Sequence, residues 1–189
     1  QDSLNLKTGM KYCYMIVAFF FYFSLSRASE EACTELKKSV PLLTNVDVLI
    51  TNVATGSISI KWVAPKEIDS LSFPPPYSYG LERADQIDGT TFTEIATFTN
   101  ILQDTLHTDN NLNTQDKGYS YRVAFYSGQS KVLVGYADAA SSVFLSIFPF
   151  DLQNRLTFNY EVPWQNEQFV VYRESAPGSG VFDSVTTTS

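Results

Sequence analysis

Gly118-Tyr119-Ser120-Tyr121-Arg122-Val123-Ala124-Phe125-Tyr126 decides the fold class. Its strict alternation sets Tyr119, Tyr121, Val123 and Phe125 on one face and Ser120, Arg122 and Ala124 on the other, the period-two pattern of a half-buried strand. A near match, Gly9-Met10-Lys11-Tyr12-Cys13-Tyr14-Met15-Ile16-Val17-Ala18, precedes it by 107 residues, measured from Tyr12 to Tyr119. A repeat at that distance predicts tandem all-β domains of about one hundred residues each.

Working outward, the pattern divides the chain into three units: residues 1–38, 39–146 and 147–189. The middle unit opens near Pro41, after the charged joint Glu35-Leu36-Lys37-Lys38, and shows strand signals but no helical period. Strands are predicted at 46–52, 57–63, 77–83, 92–98, 105–108, 119–126 and 132–143. Seven strands at this spacing predict one complete β-sandwich. Ser57-Ile58-Ser59-Ile60-Lys61-Trp62 puts Ile58, Ile60 and Trp62 on one face, with Trp62 at the centre of the core. Tyr12, Tyr119, Tyr121 and Tyr160 are the other expected core residues. The three prolines of Phe73-Pro74-Pro75-Pro76-Tyr77 cannot pair in a sheet and read as a stiff connection.

The flanking units read as partial. Residues 1–38 hold a two-stranded remnant, the strand from Tyr12 and a returning segment through Cys33, with the apolar tip Phe19-Phe20-Phe21-Tyr22-Phe23 between them. Burial of that tip against the next domain is expected, because exposed apolar clusters are uncommon on soluble monomers. Met10-Lys11, fourteen largely apolar residues and Ser26-Arg27-Ala28 also fit a signal peptide opening at an internal methionine; the alternation of Tyr12, Tyr14 and Ile16 favours the strand. In the third unit Leu156-Thr157-Phe158-Asn159-Tyr160 takes the place of the Trp62 strand. Phe169-Val170-Val171-Tyr172-Arg173 takes the place of Tyr79-Gly80-Leu81-Glu82-Arg83.

Composition bounds the partners. Of 189 residues, 44% are hydrophobic and 14% aromatic, enough to fill a core, and 13 basic against 20 acidic residues leave a net charge of −7. That balance repels phosphate backbones and anionic lipid headgroups, so no nucleic-acid partner is expected. The apolar run is shorter than the roughly 20 residues of a membrane-spanning helix, and no membrane insertion is expected. Cys13 and Cys33 flank one predicted turn, outside any CxxC or Cys/His pattern. Two arrangements fit, a disulfide or two unpaired thiols, and the disulfide is the expectation; it suits an oxidising, extracytoplasmic setting.

Motifs for chemistry are sparse. His107, the one histidine, alternates with Leu106 and is expected to face solvent. GxSxG, Walker, GxGxxG and HExxH patterns do not occur, and neither a catalytic site, a cofactor nor a metal is expected. Asp109-Asn110-Asn111-Leu112-Asn113 matches the first, third and fifth positions of a calcium loop, then fails at Thr114 and Ser120, where glycine and a bidentate glutamate are needed. It reads better as a strand connection with Asx turns.

Trp62 followed by Ala64-Pro65, the Leu6…Tyr12 and Leu112…Tyr119 spacings and the Tyr-x-Tyr-x-Val/Ile-x-Ala strands resemble fibronectin type III domains. The resemblance implies immunoglobulin-like sandwiches, one complete and two partial, in which Tyr12 and Tyr119 are corner tyrosines whose hydroxyls bond upstream backbone. Leu112 to Tyr119 is one residue longer than the usual spacing. A narrower likeness runs through Tyr12-Cys13-Tyr14, Ala28-Ser29-Glu30-Glu31-Ala32-Cys33, Ala140-Ser141-Ser142-Val143-Phe144-Leu145 and Val162-Pro163-Trp164-Gln165-Asn166. These phrases are similar to Bacteroidetes surface proteins carrying a gliding-motility-associated, type IX secretion sorting domain, although the tip at Phe19–Phe23 departs from their polar turn. The resemblance implies a non-catalytic spacer or adhesion segment of an extracellular or cell-surface protein, whose partners are its neighbouring domains and a surface protein or glycan. The alternatives are a glycan- or protein-binding module acting through loops 66–76, 84–91 and 99–104, and accessory domains of a secreted hydrolase.

Overall fold

The computed structural model describes residues 11–20, 24–35, 39–166 and 168–188. Among the described residues every regular element is a strand and every pairing is antiparallel, so the all-β expectation holds. The first hairpin comprises β1 (Lys11–Tyr14), β2 (Phe19–Phe20), β3 (Ser24–Leu25) and β4 (Ala32–Glu35), with β1 on β4 and β2 on β3. Leu6, Phe21–Phe23 and the joint at Leu36–Lys38 lie outside the described residues.

Two sheets then face each other in a sandwich-like arrangement. One runs β5 (Leu42–Ile50), β6 (Gly56–Val63) and, later in the chain, 106–112; the other is built from β7 (Tyr77–Ala84), β8 (Thr93–Phe98) and the strands after β9 (Leu106–Leu112). Those are β10 (Ser120–Ser127), β11 (Val132–Tyr136) and the short β12 (Ala140–Ser141), giving the order β11-β10-β7-β8 with β12 also on β10. The core lies between the sheets: Leu43, Val46, Ile58, Ile60, Trp62 and Leu112 from one meet Tyr79, Leu81, Tyr121, Val123, Phe125 and Val134 from the other. Trp62 sits edge-on to Tyr79 at 5.9 Å and against Phe98 at 5.3 Å, with its indole Nε1 buried and unpaired. Tyr79 packs on Phe125 at 5.8 Å, continuing the aromatic contact through the core.

Three boundaries differ from the sequence pattern, each for a local reason. β5 starts at Leu42, because a bulge between Leu43 and Asn45 lets Leu43 and Val46 face the core three residues apart and hides the alternation. β9 continues through Asp109 to Leu112, where a buried carboxylate masks a strand. The 132–143 stretch breaks after Tyr136, and Ala137 then donates its N–H to Val123 at 2.8 Å.

At the lower end of the sandwich, the Asn113 N–H donates to the Tyr119 hydroxyl at 3.0 Å. The Thr114 hydroxyl donates to the Ile50 carbonyl at 2.7 Å and accepts the Asn52 N–H at 3.0 Å. These bonds leave no space for a side chain at residue 56. A Cβ on Gly56 would collide with the Thr114 hydroxyl and lie 2.7 Å from the Leu112 carbonyl.

Ser142 and Val143 lead directly into β13 (Phe144–Phe150), which turns through Asp151 and Leu152 into β14 (Gln153–Asn159). Leu152, the second residue of this two-residue turn, takes the left-handed conformation, φ 58°. β15 (Phe169–Glu174) and β16 (Phe182–Thr188) form the last hairpin. It repeats the β7–β8 hairpin ninety residues further on: Arg83 opposite Thr93 becomes Arg173 opposite Asp183, and Tyr79 opposite Phe98 becomes Phe169 opposite Thr188. The bulge recurs too, between Leu81 and Glu82 and between Val171 and Tyr172. So does the turn, with Gly89 N–H to Gln86 and Ser179 N–H to Ala176.

The two late hairpins touch through Phe158 stacked on Phe169 at 5.4 Å and Tyr160 on Phe169 at 5.2 Å. The expectation that Tyr160 is a core residue is corrected: it remains 37% exposed. Among the described residues its one aromatic contact is with Phe169, whereas its counterpart Trp62 is enclosed by strands of both sheets.

Candidate interaction surfaces

Loops 66–76 and 99–104 both lie at the upper end of the sandwich, the first beside the turn after β10. Their aromatic residues are tied down, not displayed. The Tyr77 hydroxyl donates to the Phe73 carbonyl at 2.9 Å, the Tyr79 hydroxyl to Ile101 at 2.9 Å, and the Ser127 hydroxyl to Pro74 at 2.6 Å. Gly128 N–H bonds the Pro76 carbonyl at 2.8 Å, and the Pro75–Pro76 peptide is cis. Leu71 and Leu102 are the large apolar side chains that these two loops expose to solvent. Burial pushes the Tyr79 phenol up to about 12.

His107 is half-buried, which corrects the expectation of a solvated histidine: its ring meets Phe98 edge-on at 5.7 Å. That contact holds its pKa below the ordinary value, burial outweighing the attraction of Asp109.

The lower end holds a connected group of charges. Asp109, buried on β9, accepts from Arg83 Nη1 of the opposite sheet at 2.9 Å and from the Tyr121 hydroxyl at 3.1 Å. Arg83 Nε also reaches Asp85 at 3.1 Å, and Lys117 lies 3.6 Å from Asp85 and 5.0 Å from the Tyr119 ring centre. Burial disfavours the Arg83 charge, yet the hydrogen bond and charge of Asp109 keep its pKa above the ordinary value. The Tyr121 phenol is pushed up by burial and by Asp109. A cleft of about 700 Å³ opens beside this group, lined by Arg83, Asp85, Gly89, Thr90, Thr93 and Lys117. Its two cations and the carboxylates of Asp85 and Asp109 balance one another, so the group joins sheets and does not present a net charge to a ligand.

The calcium-loop segment does not converge on a point. Asp109 is committed to Arg83 and Tyr121, Asn110 Nδ2 donates to Thr108, and Asn113 exchanges hydrogen bonds with Asp116. On the outer face of the second sheet, the Arg122 guanidinium bonds Glu82, directly opposite, at 2.6 and 2.7 Å. It lies between the rings of Phe92 at 4.3 Å and Tyr136 at 3.9 Å. Sequence reading missed both ion pairs. The alternation of 118–126 was visible, but the partner of Arg122 is set by register, forty residues away.

The first hairpin holds the expected Cys13–Cys33 disulfide, formed between residues directly opposite on β1 and β4. Among the described residues, Cys13, Glu31 and Cys33 are the one group with three metal-type ligand atoms together, and both sulfurs are used in the bond. Tyr12, the other expected corner tyrosine, is half-buried on β1. Phe19 and Phe20 stand in solvent, which corrects the expectation of burial for these two residues of the apolar tip; the rest of it lies outside the described residues. Among the described residues β1 and β4 pair with each other alone, and no strand of the sandwich pairs with β2 or β3. No helix is long and apolar enough to cross a membrane among the described residues.

No protein-family model matches the chain, and no curated protein matches it.

Proposed function

We propose that this chain is a non-catalytic spacer or adhesion segment of a secreted surface protein, built from tandem fibronectin type III units. The observation that carries this reading is the hairpin repeat, in which register, bulge and turn of 79–98 recur at 169–188. Such serial reuse of one unit suits a part whose work is to set distance between other parts. The three- and five-stranded sheets of 42–141 and the Tyr119 hydroxyl bond support the same family reading. The disulfide is compatible with an extracytoplasmic location, and a gliding-motility-associated, type IX-secreted parent is the setting we infer.

Stretching the chain between two handles tests the mechanical part. The sandwich is expected to unfold as one step releasing about 350 Å of extended chain, at roughly 3.5 Å for each of about 100 residues. Gradual lengthening without a step would defeat the spacer reading. A non-reducing peptide map of the protein from its native host tests location, and free thiols at Cys13 and Cys33 would count against secretion. The binding-module reading rests on exposed Leu71 and Leu102 at one end. A glycan or protein captured by the chain and lost on Leu71→Ser with Leu102→Ser would replace the spacer reading.

A further inference from the structure

We propose that the tip of the first hairpin is a bilayer-surface anchor, with Met15, Ile16, Phe19, Phe20 and Leu25 entering the interfacial zone of a zwitterionic membrane. This is a shallow insertion by a β-ribbon, distinct from a spanning helix and independent of the spacer reading. From Tyr12 to Ser26 the sequence holds no charged residue, and Arg27, Glu30 and Glu31 follow at once. Polarity therefore changes along the ribbon axis, apolar at the tip and charged at the neck. Met15 is 61% exposed, Ile16 75%, Phe19 81%, Phe20 57% and Leu25 57%.

The geometry selects the occupant. Successive residues of a ribbon point to opposite faces, so neighbours Phe19 and Phe20 expose both sides at once. A groove or a flat protein surface covers one side and leaves the other wet. A lipid interface surrounds the tip and removes both sides from water.

Backbone hydrogen bonding fits the same medium, since an unpaired N–H is costly where lipid cannot accept it. Ile16 and Ala18 donate to the hydroxyls of Ser29 and Ser26 at 2.9 and 2.8 Å. The N–H groups of Ser29 and Ser26 return bonds to Ile16 and Ala18 at 2.9 Å each. The Cys13–Cys33 bond holds the neck, so little ordering is needed on contact. From Ile16 to Phe20 the ribbon spans about 13 Å, comparable to the headgroup boundary. The chain's net charge of −7 rules out attraction to anionic headgroups as the driving force, leaving apolar burial.

The test is flotation of the full, disulfide-intact chain with phosphatidylcholine vesicles. Wild type is expected to float, with no loss between about 0.1 and 1 M salt because apolar insertion is not screened. Phe19→Ser with Phe20→Ser should partition at no more than about a tenth of the wild-type level. Both side chains are solvent-exposed, so an unchanged denaturation midpoint will show that the sandwich survives. A Phe19→Trp variant should gain blue-shifted emission that brominated phosphatidylcholine quenches. Absence of flotation, flotation that survives the double substitution, or flotation abolished by salt would each overturn the proposal. So would a Phe19-dependent dimer of the chain that ignores vesicles, which would assign the tip to a second copy.

Discussion

The hairpins 77–98 and 169–188 have the same register, the same bulge and the same turn, yet opposite environments. In the first, Tyr79 and Leu81 are fully buried beneath Trp62 and beside β10. In the second, Val171 alone is buried, at the 9% level, and Tyr172 and Arg173 are exposed. The difference teaches that turn chemistry and cross-strand pairing make a hairpin, whereas coverage by an opposing sheet makes it a core.

Substitutions at matched positions can break this comparison. The largest expected effect is Trp62→Ala, about 3–5 kcal/mol in denaturant unfolding of the sandwich. Tyr160→Ala should cost less than about 1 kcal/mol, because its ring is already partly hydrated. Equal losses at the two positions would mean that the second pair of hairpins encloses a core of its own.

The disulfide sharpens the contrast between hairpin and sandwich. Cys13→Ser with Cys33→Ser should lower the local opening free energy of residues 11–35, read by amide exchange, by about 3 kcal/mol for a loop of this length. The sandwich midpoint should not move. A matching loss in both would show that the hairpin is an integral part of the sandwich.

Arginine at equivalent positions gives a smaller difference. Arg83→Ala strips Asp109 of its cationic partner, leaving it the Tyr121 hydroxyl, and should cost about 2 kcal/mol, less than a fully buried pair because the guanidinium is a quarter exposed. Arg173→Ala should fall within about 0.5 kcal/mol of wild type. Indistinguishable midpoints would mean that the Arg83–Asp109 contact adds nothing to holding the sheets together.

The smallest effect is alkaline. Tyr79 has a phenol where the repeat has Phe169. Its folded pKa is raised to about 12 from 10.0. The unfolded chain therefore releases the proton first, and stability present below pH 10 declines between about pH 10 and 12. At pH 11 the decline should be about 1 kcal/mol steeper in wild type than in Tyr79→Phe. Parallel curves would refute the assignment.

Strands whose face alternates cleanly were legible in the sequence: β6 with Ile58, Ile60 and Trp62, and β10 with Tyr121, Val123 and Phe125, because period two is a local property. The disulfide was legible for a similar reason, since two cysteines on either side of one turn can meet by folding that turn alone. β5 was only partly legible. Its bulge shifts the phase, and a single inserted residue moves every following side chain to the other face. Asp109 was misjudged because a run of Asp and Asn looks like a turn until Arg83 and Tyr121 are brought to it across the core.

By itself, then, the sequence determined an all-β chain, the positions of its main hairpins and the likeness of one to another ninety residues on. Only the tertiary structure decided which copies became a core, how Glu82 met Arg122 and Arg83 met Asp109, and that Phe19, Phe20 and Tyr160 stayed in contact with water. The physical reason is range. Pairing and turn preferences act over a few residues, but burial and ion pairing depend on which distant surface arrives opposite, and that is a property of the assembled sheets.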